Sequence, residues 1–303
     1  MLAKPRAIPD RAHIGVLAAS GPSDLQRIVD AVDAIEQRGH RVTLAANIDR
    51  RHRQYLAGSD DERADEINRF LRAAEFDAFF FARGGYGAMR ILDRIDWQSL
   101  ADNPRPLVGF SDVTAIHQAA ATRAGVRTFH GPMLNLDFHA RLSPKQETWF
   151  WSMLRGEAPL TYAFSPSDVL QSGEAEGVLF GGCLALTTAL IGTPYDFWIE
   201  DGIWFWEDVD EPVYRIDRML THLRLSGRMQ KIRGVVIGRL KDCGNEPDLL
   251  DLLREFFSSF AIPVVTNFPF GHYGDNLLMP IGATVGLNTG NCPMTIPEPA
   301  VLR

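Results

Sequence analysis

The chain is poor in lysine and has no basic cluster. Lys occurs only at positions 4, 145, 231 and 241, and the formal net charge of the 303 residues is −7. No run of roughly five or six basic residues occurs along the chain. Because clustered Lys and Arg supply most of the affinity of a nucleic-acid-binding surface, the composition predicts no nucleic-acid partner.

The chain also lacks clustered cysteines and a long hydrophobic run. Cys183, Cys243 and Cys292 are odd in number and far apart, so we expect buried thiols in a reducing compartment rather than disulfides. The nearest candidate for a membrane span, residues 177–192, contains Gly, Thr and Cys and is shorter than the ~18–20 residues required. The N-terminal segment does not follow a signal-peptide pattern. We therefore predict a cytoplasmic protein without a membrane segment.

Phosphate-binding loops and zinc-binding helices are absent as motifs. Neither GxGxxG nor GxxxxGKS/T occurs, and no two of the eight histidines have HExxH spacing. These motifs place backbone amides around phosphates or two imidazoles around a zinc ion. The sequence therefore predicts no cofactor and no metal.

The first half of the chain alternates short apolar runs with amphipathic stretches, as βα repeats around a parallel sheet do. The pattern predicts strands at 14–19, 42–45, 77–82 and 106–110, and helices at 23–37, 60–74, 88–95, 112–125 and 143–155. A segment rich in Pro, Ser and Gly follows, and beyond it come shorter strands and helices. We predict an α/β protein with a parallel-sheet domain at 1–155, a linker at 156–175 and a mixed, β-rich domain at 176–303.

A serine follows the predicted strand at 106–110 and precedes a predicted helix. Ser111 would lie on a sharp turn at the carboxyl end of a parallel sheet, where open α/β sheets place their sites. The backbone amide of Asp112 could donate to an oxyanion there, as in a nucleophile elbow, although Val113 departs from the small residue of that motif. The alternative is that Ser111 only caps the helix.

The predicted strand at 77–82 ends in a glycine-rich loop, Arg83 to Gly87. Glycines at such a position let the backbone approach a ligand or point amides into a cavity. A tight turn alone would also explain them. Two neighbouring strand ends that both carry such loops favour a shared site.

A serine nucleophile needs a base, because its hydroxyl is almost fully protonated at neutral pH. His117 is six residues from Ser111 on the same predicted helix, more than one turn away, so we do not expect it to reach the hydroxyl. His130 and His272 remain as candidates. His272 lies in a loop between Phe270-Gly271 and a Gly-Asp-Asn turn, where it has little local structural role.

A base is usually oriented by a carboxylate. The apolar run at 203–206 ends at Glu207 and Asp208. Strand alternation puts Glu207 on the face of Ile203 and Phe205, and Asp208 on the face of the two tryptophans. One of the two acids is expected to point inward, where it needs a partner.

Taken together, five segments resemble the LD-carboxypeptidases, a family that includes muramoyltetrapeptide carboxypeptidase. They are DAFFFARGGYGAMRILDRID, PLVGFSDVTAIH, FHGPM, FWEDVDEPVYRIDRML and FPFGHYGDN, and the matching stretches span about residues 13 to 285. The resemblance implies a Rossmann-like N-terminal domain that bears the nucleophile. It also implies a smaller C-terminal domain that bears the acid and the base.

The resemblance also implies residue roles and a reaction. The nucleophile would be Ser111, the triad acid Glu207 and the base His272, acting on the bond before the terminal D-alanine of cytoplasmic murein tetrapeptides. The backbone amides of Gly85 and Asp112 would form the oxyanion hole. A homodimer is expected as well.

The free carboxylate of such a substrate needs a cation or a cluster of amides. Arg83 is the candidate, with Gly84 and Tyr86 beside it as substrate contacts. Arg83 could equally form a structural salt bridge.

Three other functions remain open at this stage. The same superfamily contains microcin-C immunity peptidases, which cleave acyl-sulfamoyl-adenylate conjugates with the same triad and tend to be longer. A periplasmic-binding-like sensor would also fit two α/β domains around a cleft, but it would need export. A metallo-carboxypeptidase is disfavoured by the lack of clustered ligands.

Overall fold

The computed structural model describes residues 1–303 and contains two β-sheets flanked by helices. The first sheet has five parallel strands in the order β2-β1-β3-β4-β5, one of the two common doubly wound orders, and a sixth strand described below. The parallel strands are β1 His13–Leu17, β2 Arg41–Leu44, β3 Ala78–Phe81, β4 Leu107–Gly109 and β5 Thr128–His130. The helices around them are α1 Leu25–Glu36, α2 Asp60–Arg72, α3 Trp97–Asp102, α4 Thr114–Ala119 and α5 Pro144–Leu154.

Strands β1, β3, β4 and β5 are buried along their whole length. Burial on both faces explains why they read as continuous apolar runs rather than as alternating patterns. The helices begin where side chains can cap them: Asp24 accepts bonds from the first turn of α1, and Ser59 with Glu62 forms a capping box on α2.

The second sheet is mixed and has eight strands in the order β6-β14-β13-β8-β9-β10-β11-β7. The four strands β8 to β11 are parallel neighbours, and the other pairings are antiparallel. The eight strands are β6 Leu160–Ala163, β7 Val169–Gln171, β8 Glu174–Cys183, β9 Ile203–Glu207, β10 Gly234–Gly238, β11 Val264–Phe268, β13 Thr284–Asn288 and β14 Pro293–Ile296. Its helices are α6 Leu184–Ala189, α7 Val213–Leu225 and α8 Glu246–Phe257. The predicted α/β class is therefore confirmed.

The segment at 156–175 is part of the second sheet and is not a free linker. It contributes β6 and β7, which pair antiparallel with β14 and β11 at the two edges of that sheet. Their partners lie about 90 residues or more further along the chain, a pairing that local composition does not reveal.

One strand from the C-terminal half joins the first sheet. Strand β12, Met279–Ile281, pairs antiparallel with β5, with Met279 opposite His130. The chain between β11 and β12 therefore crosses from the second sheet to the first. Because β5 also pairs with β4, this crossing segment is held two strands away from the strand that precedes Ser111.

Two predicted helices are shorter in the structure. The helix expected over 88–95 is a 3-10 turn, Ala88–Ile91. The helix expected over 112–125 is a 3-10 turn at Ser111–Val113, then α4, then a π turn that ends at Gly125 in the left-handed region. None of the helices combines the length and the apolar character that a membrane crossing demands.

The two halves share an apolar core. Phe205 on β9 belongs to the same buried cluster as Val108 and Phe129 of the first sheet. Trp204 and Trp206 belong to a separate cluster under α7 and α8. The alternation predicted for this strand is therefore confirmed, and Glu207 continues the face that meets the N-terminal half.

Candidate active site

Ser111 lies on a strained turn at the carboxyl end of β4. Its φ angle is 62°, in the left-handed region that side chains other than glycine rarely adopt. Strain of this kind costs about 1–3 kcal/mol and tends to persist at functional sites. The turn keeps the side chain of Ser111 partly exposed between buried Phe110 and buried Asp112.

Gly84 packs directly against Ser111. A Cβ on Gly84 would lie 2.8 Å from Ser111 Cβ and 2.9 Å from Ser111 Oγ, so only glycine leaves room for this hydroxyl. The same point is 3.5 Å from the amide nitrogen of Asp112, so this amide also lies close to Gly84. Gly85 has a φ of 112°, and its N–H donates to no protein group. The loop after β3 thus brings a free amide to the turn after β4.

The side chain of Asp112 joins three loops, a role that the sequence did not reveal. Its Oδ2 accepts hydrogen bonds from Ser20 Oγ at 2.6 Å and from the N–H of Ala88 at 2.8 Å. Ser20 follows β1 and Ala88 follows β3, so one carboxylate ties together the ends of three adjacent strands. Burial raises the pKa of Asp112, although these hydrogen bonds oppose the shift.

His272 and Glu207 form a buried pair. His272 Nδ1 lies 2.7 Å from Glu207 Oε2, and the side chain of Glu207 is fully buried. Burial acts to lower the pKa of His272, but the charge of Glu207 and the hydrogen bond to it outweigh burial, and the pKa is raised. Gly271 and Gly238 leave room for the acid, since a Cβ on either would lie 2.6 and 2.9 Å, respectively, from Glu207 atoms.

The crossing segment brings His272 beside the serine turn. The imidazole packs against the ring of Phe110 with centroids 4.8 Å apart, and Phe110 immediately precedes Ser111. No hydrogen bond joins Ser111 Oγ to His272 in the structure. The three predicted residues are therefore brought to one place, with the imidazole bonded to the acid and adjacent to the serine turn.

The competing histidine, His130, is in an apolar environment. Its ring is fully buried among Phe110, Phe205 and Phe270, and neither ring nitrogen has a hydrogen-bond partner. Burial lowers its pKa well below the ordinary value. His117 donates from Nε2 to the carbonyl of Gly109 at 2.7 Å and holds β4 to α4.

Asp208 points away from the histidine and caps a helix. Its Oδ2 accepts a hydrogen bond of 2.8 Å from the N–H of Ala185 in the first turn of α6, and Oδ1 accepts one from Val209. Burial raises the pKa of Asp208 to about 7. Of the two acids at the end of β9, Glu207 contacts the histidine and Asp208 has a structural role.

The rim of the site carries a free cation and two exposed tyrosines. The exposed side chain of Arg83 donates to the carbonyl of Pro22 at 2.8 Å and forms no salt bridge. Tyr86 is 51% exposed and lies beside Tyr55, which is 46% exposed, with ring centroids 5.9 Å apart. Tyr55 directly follows a turn in which Arg53 and Gln54 both have positive φ. Nothing in the local sequence pattern had marked Tyr55.

A cavity of about 430 Å³ adjoins the histidine loop on the C-terminal half. Tyr273, Gly238 and Arg239 line it, together with the first residues of α8. The guanidinium of Arg239 lies 3.3 Å from Asp275 and over the ring of Tyr273. Arg239 is therefore a cation beside the histidine loop.

The chain matches the family models of both domains of one enzyme family. Residues 14–131 match the LD-carboxypeptidase N-terminal domain, and residues 176–287 match the LD-carboxypeptidase C-terminal domain. A Bacillus subtilis protein named "Probable murein peptide carboxypeptidase" is 33% identical over 94% of this chain and 92% of its own length. A microcin self-immunity protein of Escherichia coli is 25% identical over 98% of this chain and 96% of its own length.

A solved structure shows the same fold. The crystal structure of muramoyltetrapeptide carboxypeptidase from Oxalobacter formigenes superposes with a TM-score of 0.86 at 28% identity, covering 96% of this chain and all of that one. Both halves of the fold are therefore shared with known proteins, and Ser111 falls in the range matched to the N-terminal domain, whereas Glu207 and His272 fall in the range matched to the C-terminal domain. The chain belongs to the LD-carboxypeptidase family of serine-type enzymes.

Proposed function

We propose that the protein is a serine carboxypeptidase that removes the terminal D-alanine from cytoplasmic murein tetrapeptides. The observation that carries the proposal is the buried hydrogen bond between His272 and Glu207 beside the strained turn of Ser111. An imidazole that is held by a carboxylate and adjoins the turn of a partly exposed serine has the parts of a base-activated nucleophile. Relatives named as murein peptide carboxypeptidases support the substrate class.

In this proposal the reaction proceeds through an acyl-enzyme. His272 Nε2 takes the proton of Ser111 as Oγ attacks the carbonyl before D-alanine, and Glu207 stabilises the resulting imidazolium. His272 then gives that proton to the nitrogen of D-alanine, which leaves as the free amino acid. Water, activated by the same imidazole, hydrolyses the ester and regenerates the serine. The hydrogen bond between Ser111 and His272 is proposed to form with substrate bound, since catalytic contacts often tighten only in that complex.

The amides of Gly85 and Asp112 are the proposed oxyanion hole. The unpaired N–H of Gly85 and the position of the Asp112 amide beside Ser111 support this assignment. Each such donor typically contributes about 3 kcal/mol to transition-state stabilisation. Gly84 then acts through Ser111, which it packs against, rather than as a separate contact to substrate.

Two arginines are candidates for the terminal carboxylate of the substrate. Arg83 is exposed and free of salt bridges, whereas Arg239 is engaged by Asp275. We therefore propose Arg83, with Tyr86 and Tyr55 contacting the more distant part of the peptide. Arg83→Ala is expected to raise KM about tenfold with little change in kcat, and Arg239→Ala is the matched comparison.

The test is incubation with purified disaccharide tetrapeptide, followed by mass spectrometry. A product lighter by one alanine residue, formed by wild type but not by Ser111→Ala, His272→Ala or Glu207→Ala, is the expected result. A His272→Ala enzyme with wild-type turnover would transfer the role of base to His130. Activity that is abolished by EDTA would point instead to a metallo-carboxypeptidase.

The similarity to the microcin self-immunity protein supports one alternative substrate class. A peptidyl-sulfamoyl-adenosine should be run in parallel, with release of the sulfamoyl nucleoside as the readout. Faster turnover of this conjugate than of the tetrapeptide would replace the proposed substrate while leaving the proposed triad intact.

We also propose that the enzyme is a homodimer. Light scattering coupled to size-exclusion chromatography measures the molar mass directly. A value equal to that of one chain would contradict this part of the proposal.

A further inference from the structure

The loop that carries His272 is closed by a buried asparagine. Asn276 is fully buried, and its Oδ1 accepts a hydrogen bond from the N–H of Gly271 at 3.0 Å. This bond closes the loop around His272, because Gly271 and Asn276 lie on either side of it. The conformation of the loop therefore depends on where Asn276 is held.

Asn276 is bonded to a carboxylate of the N-terminal half. Its Nδ2 donates to Asp137 Oδ1 at 3.4 Å, and Asp137 Oδ2 accepts the N–H of Met133 at 2.8 Å. Asp137 lies in the turn Leu134–Phe138, in the half of the molecule that bears Ser111. Gln146 on α5 adds a second link, since its Nε2 donates to the carbonyl of Gly274 at 3.1 Å.

We propose that Asp137, from the N-terminal half, and Asn276, in the histidine loop, are positioning residues that set the location of His272. The inference rests on the proposed role of His272 as the base. Glu207 orients the imidazole from the C-terminal half, and Asp137, acting through Asn276 and the backbone of Gly271, orients the same loop from the half that holds the nucleophile. The alignment of base and nucleophile is thereby tied to the docking of the two halves.

The charges around the imidazole agree with this arrangement. The carboxyl groups that act to raise the pKa of His272 are Glu207, Asp208 and Asp137, and burial lowers the pKa of the nearby His130 well below its ordinary value. Burial raises the pKa of Asp137 to about 7, against its hydrogen bonds to Met133 and Asn276 and the attraction of His272. When Asp137 is ionised, its negative charge favours the imidazolium that forms during catalysis.

A swap of the two side chains tests the network. Asp137→Asn puts an amide NH₂ opposite the NH₂ of Asn276 and breaks the bond between them. In the double variant Asp137→Asn/Asn276→Asp, the amide introduced at position 137 can donate to the carboxylate introduced at position 276. That carboxylate can still accept the N–H of Gly271, so every hydrogen bond is restored.

The expected results are specific to positioning. Asn276→Ala and Asp137→Asn should lower kcat by about 10–100-fold with KM within about threefold, because a displacement near 1 Å has an effect of this size. The double variant should recover most of the lost kcat. Asp137→Asn should also lower the pKa of His272, measured by NMR titration of labelled histidine and by the acidic limb of kcat/KM, whereas the double variant should raise it again.

Asn68→Ala is the matched control. Asn68 also donates one hydrogen bond, to Arg94, and accepts one, from Asp96, but on α2 away from the site. The Asn68→Ala variant should have a lower free energy of unfolding than wild type, with unchanged kcat and an unchanged pH profile of kcat/KM. If Asn276→Ala behaves as Asn68→Ala does, or if the double variant is no better than either single one, the positioning role is wrong. The NMR titration needs no turnover, so it separates this failure from a failure of the proposed reaction.

Discussion

Replacement of Gly84 by alanine tests whether the turn at Ser111 is the reacting centre. The new methyl group would lie 2.8 Å from Ser111 Cβ, whereas carbon atoms pack best at about 3.5–4.0 Å, so it must displace Ser111 by about 0.7–1.2 Å. Gly84 has no positive φ, and alanine therefore adds no backbone strain of its own. A nucleophile misplaced by about 1 Å reacts roughly 100-fold more slowly, while overpacking should lower stability by only about 1–3 kcal/mol.

The assay is single-turnover release of D-alanine at saturating enzyme, with urea unfolding measured on the same preparation. Gly290→Ala is the matched control, because its only close contact would be an ordinary 3.4 Å from Asn288 and its φ is not positive. We expect a rate about 100-fold below wild type for Gly84→Ala and an unchanged rate for the control. A folded Gly84→Ala enzyme with a rate within about threefold of wild type would refute the assignment of Ser111.

Three further predictions follow from the same contacts. Because the pKa of His272 is raised above 6.5, kcat/KM should fall as pH drops through that raised value. Glu207→Gln should move this acidic limb to lower pH and reduce kcat by ~10²–10⁴-fold. If the acidic limb does not move, Glu207 is not the partner that raises the pKa of His272. Gly181→Ala would place a methyl group 1.7 Å from the carbonyl oxygen of Phe205, so we expect little folded protein by near-UV circular dichroism, and a native spectrum would be inconsistent with the β8–β9 pairing. Burial raises the pKa of Asp208 from 3.8 to about 7, so between these values the folded state keeps a proton that the unfolded chain loses, and stability falls as pH rises through this window. Asp208→Asn should flatten that fall in urea titrations between about pH 4 and 7, and an unchanged slope would contradict it.

Much of the local structure was readable from the sequence, because it depends on neighbours along the chain. The run at 77–82 is apolar since β3 is buried on both faces, and the strand predicted at 106–110 contains β4. Strand alternation over 203–206 correctly separated the face of Ile203 and Phe205, to which it assigned Glu207, from the face of the two tryptophans. The turn at Ser111 was expected from a serine between an apolar strand and a helix.

Long-range pairing was not readable, because its partners are far apart in the chain. The segment at 156–175 looked like a linker from its Pro, Ser and Gly content, yet β6 and β7 gain their hydrogen bonds from β14 and β11. Strand β12 is three residues long, and its only strand partner is β5, with which it pairs at the edge of the first sheet. The networks around Asp112 and Asp137 join loops from different parts of the chain, so no periodicity could reveal them.

The choice between His130 and His272 separates most clearly what the sequence determines from what the tertiary structure determines. By itself, the sequence identified a serine at a strand end, an acid at another strand end and two candidate histidines, because each of these depends on a few adjacent residues. The tertiary structure decided which imidazole meets a carboxylate. The crossing from β11 to β12 carries His272 to Glu207 at 2.7 Å, while the sheet encloses His130 among three aromatic rings without a polar partner. Burial and partner are properties of the assembled fold, and a residue's neighbours in the chain do not determine them.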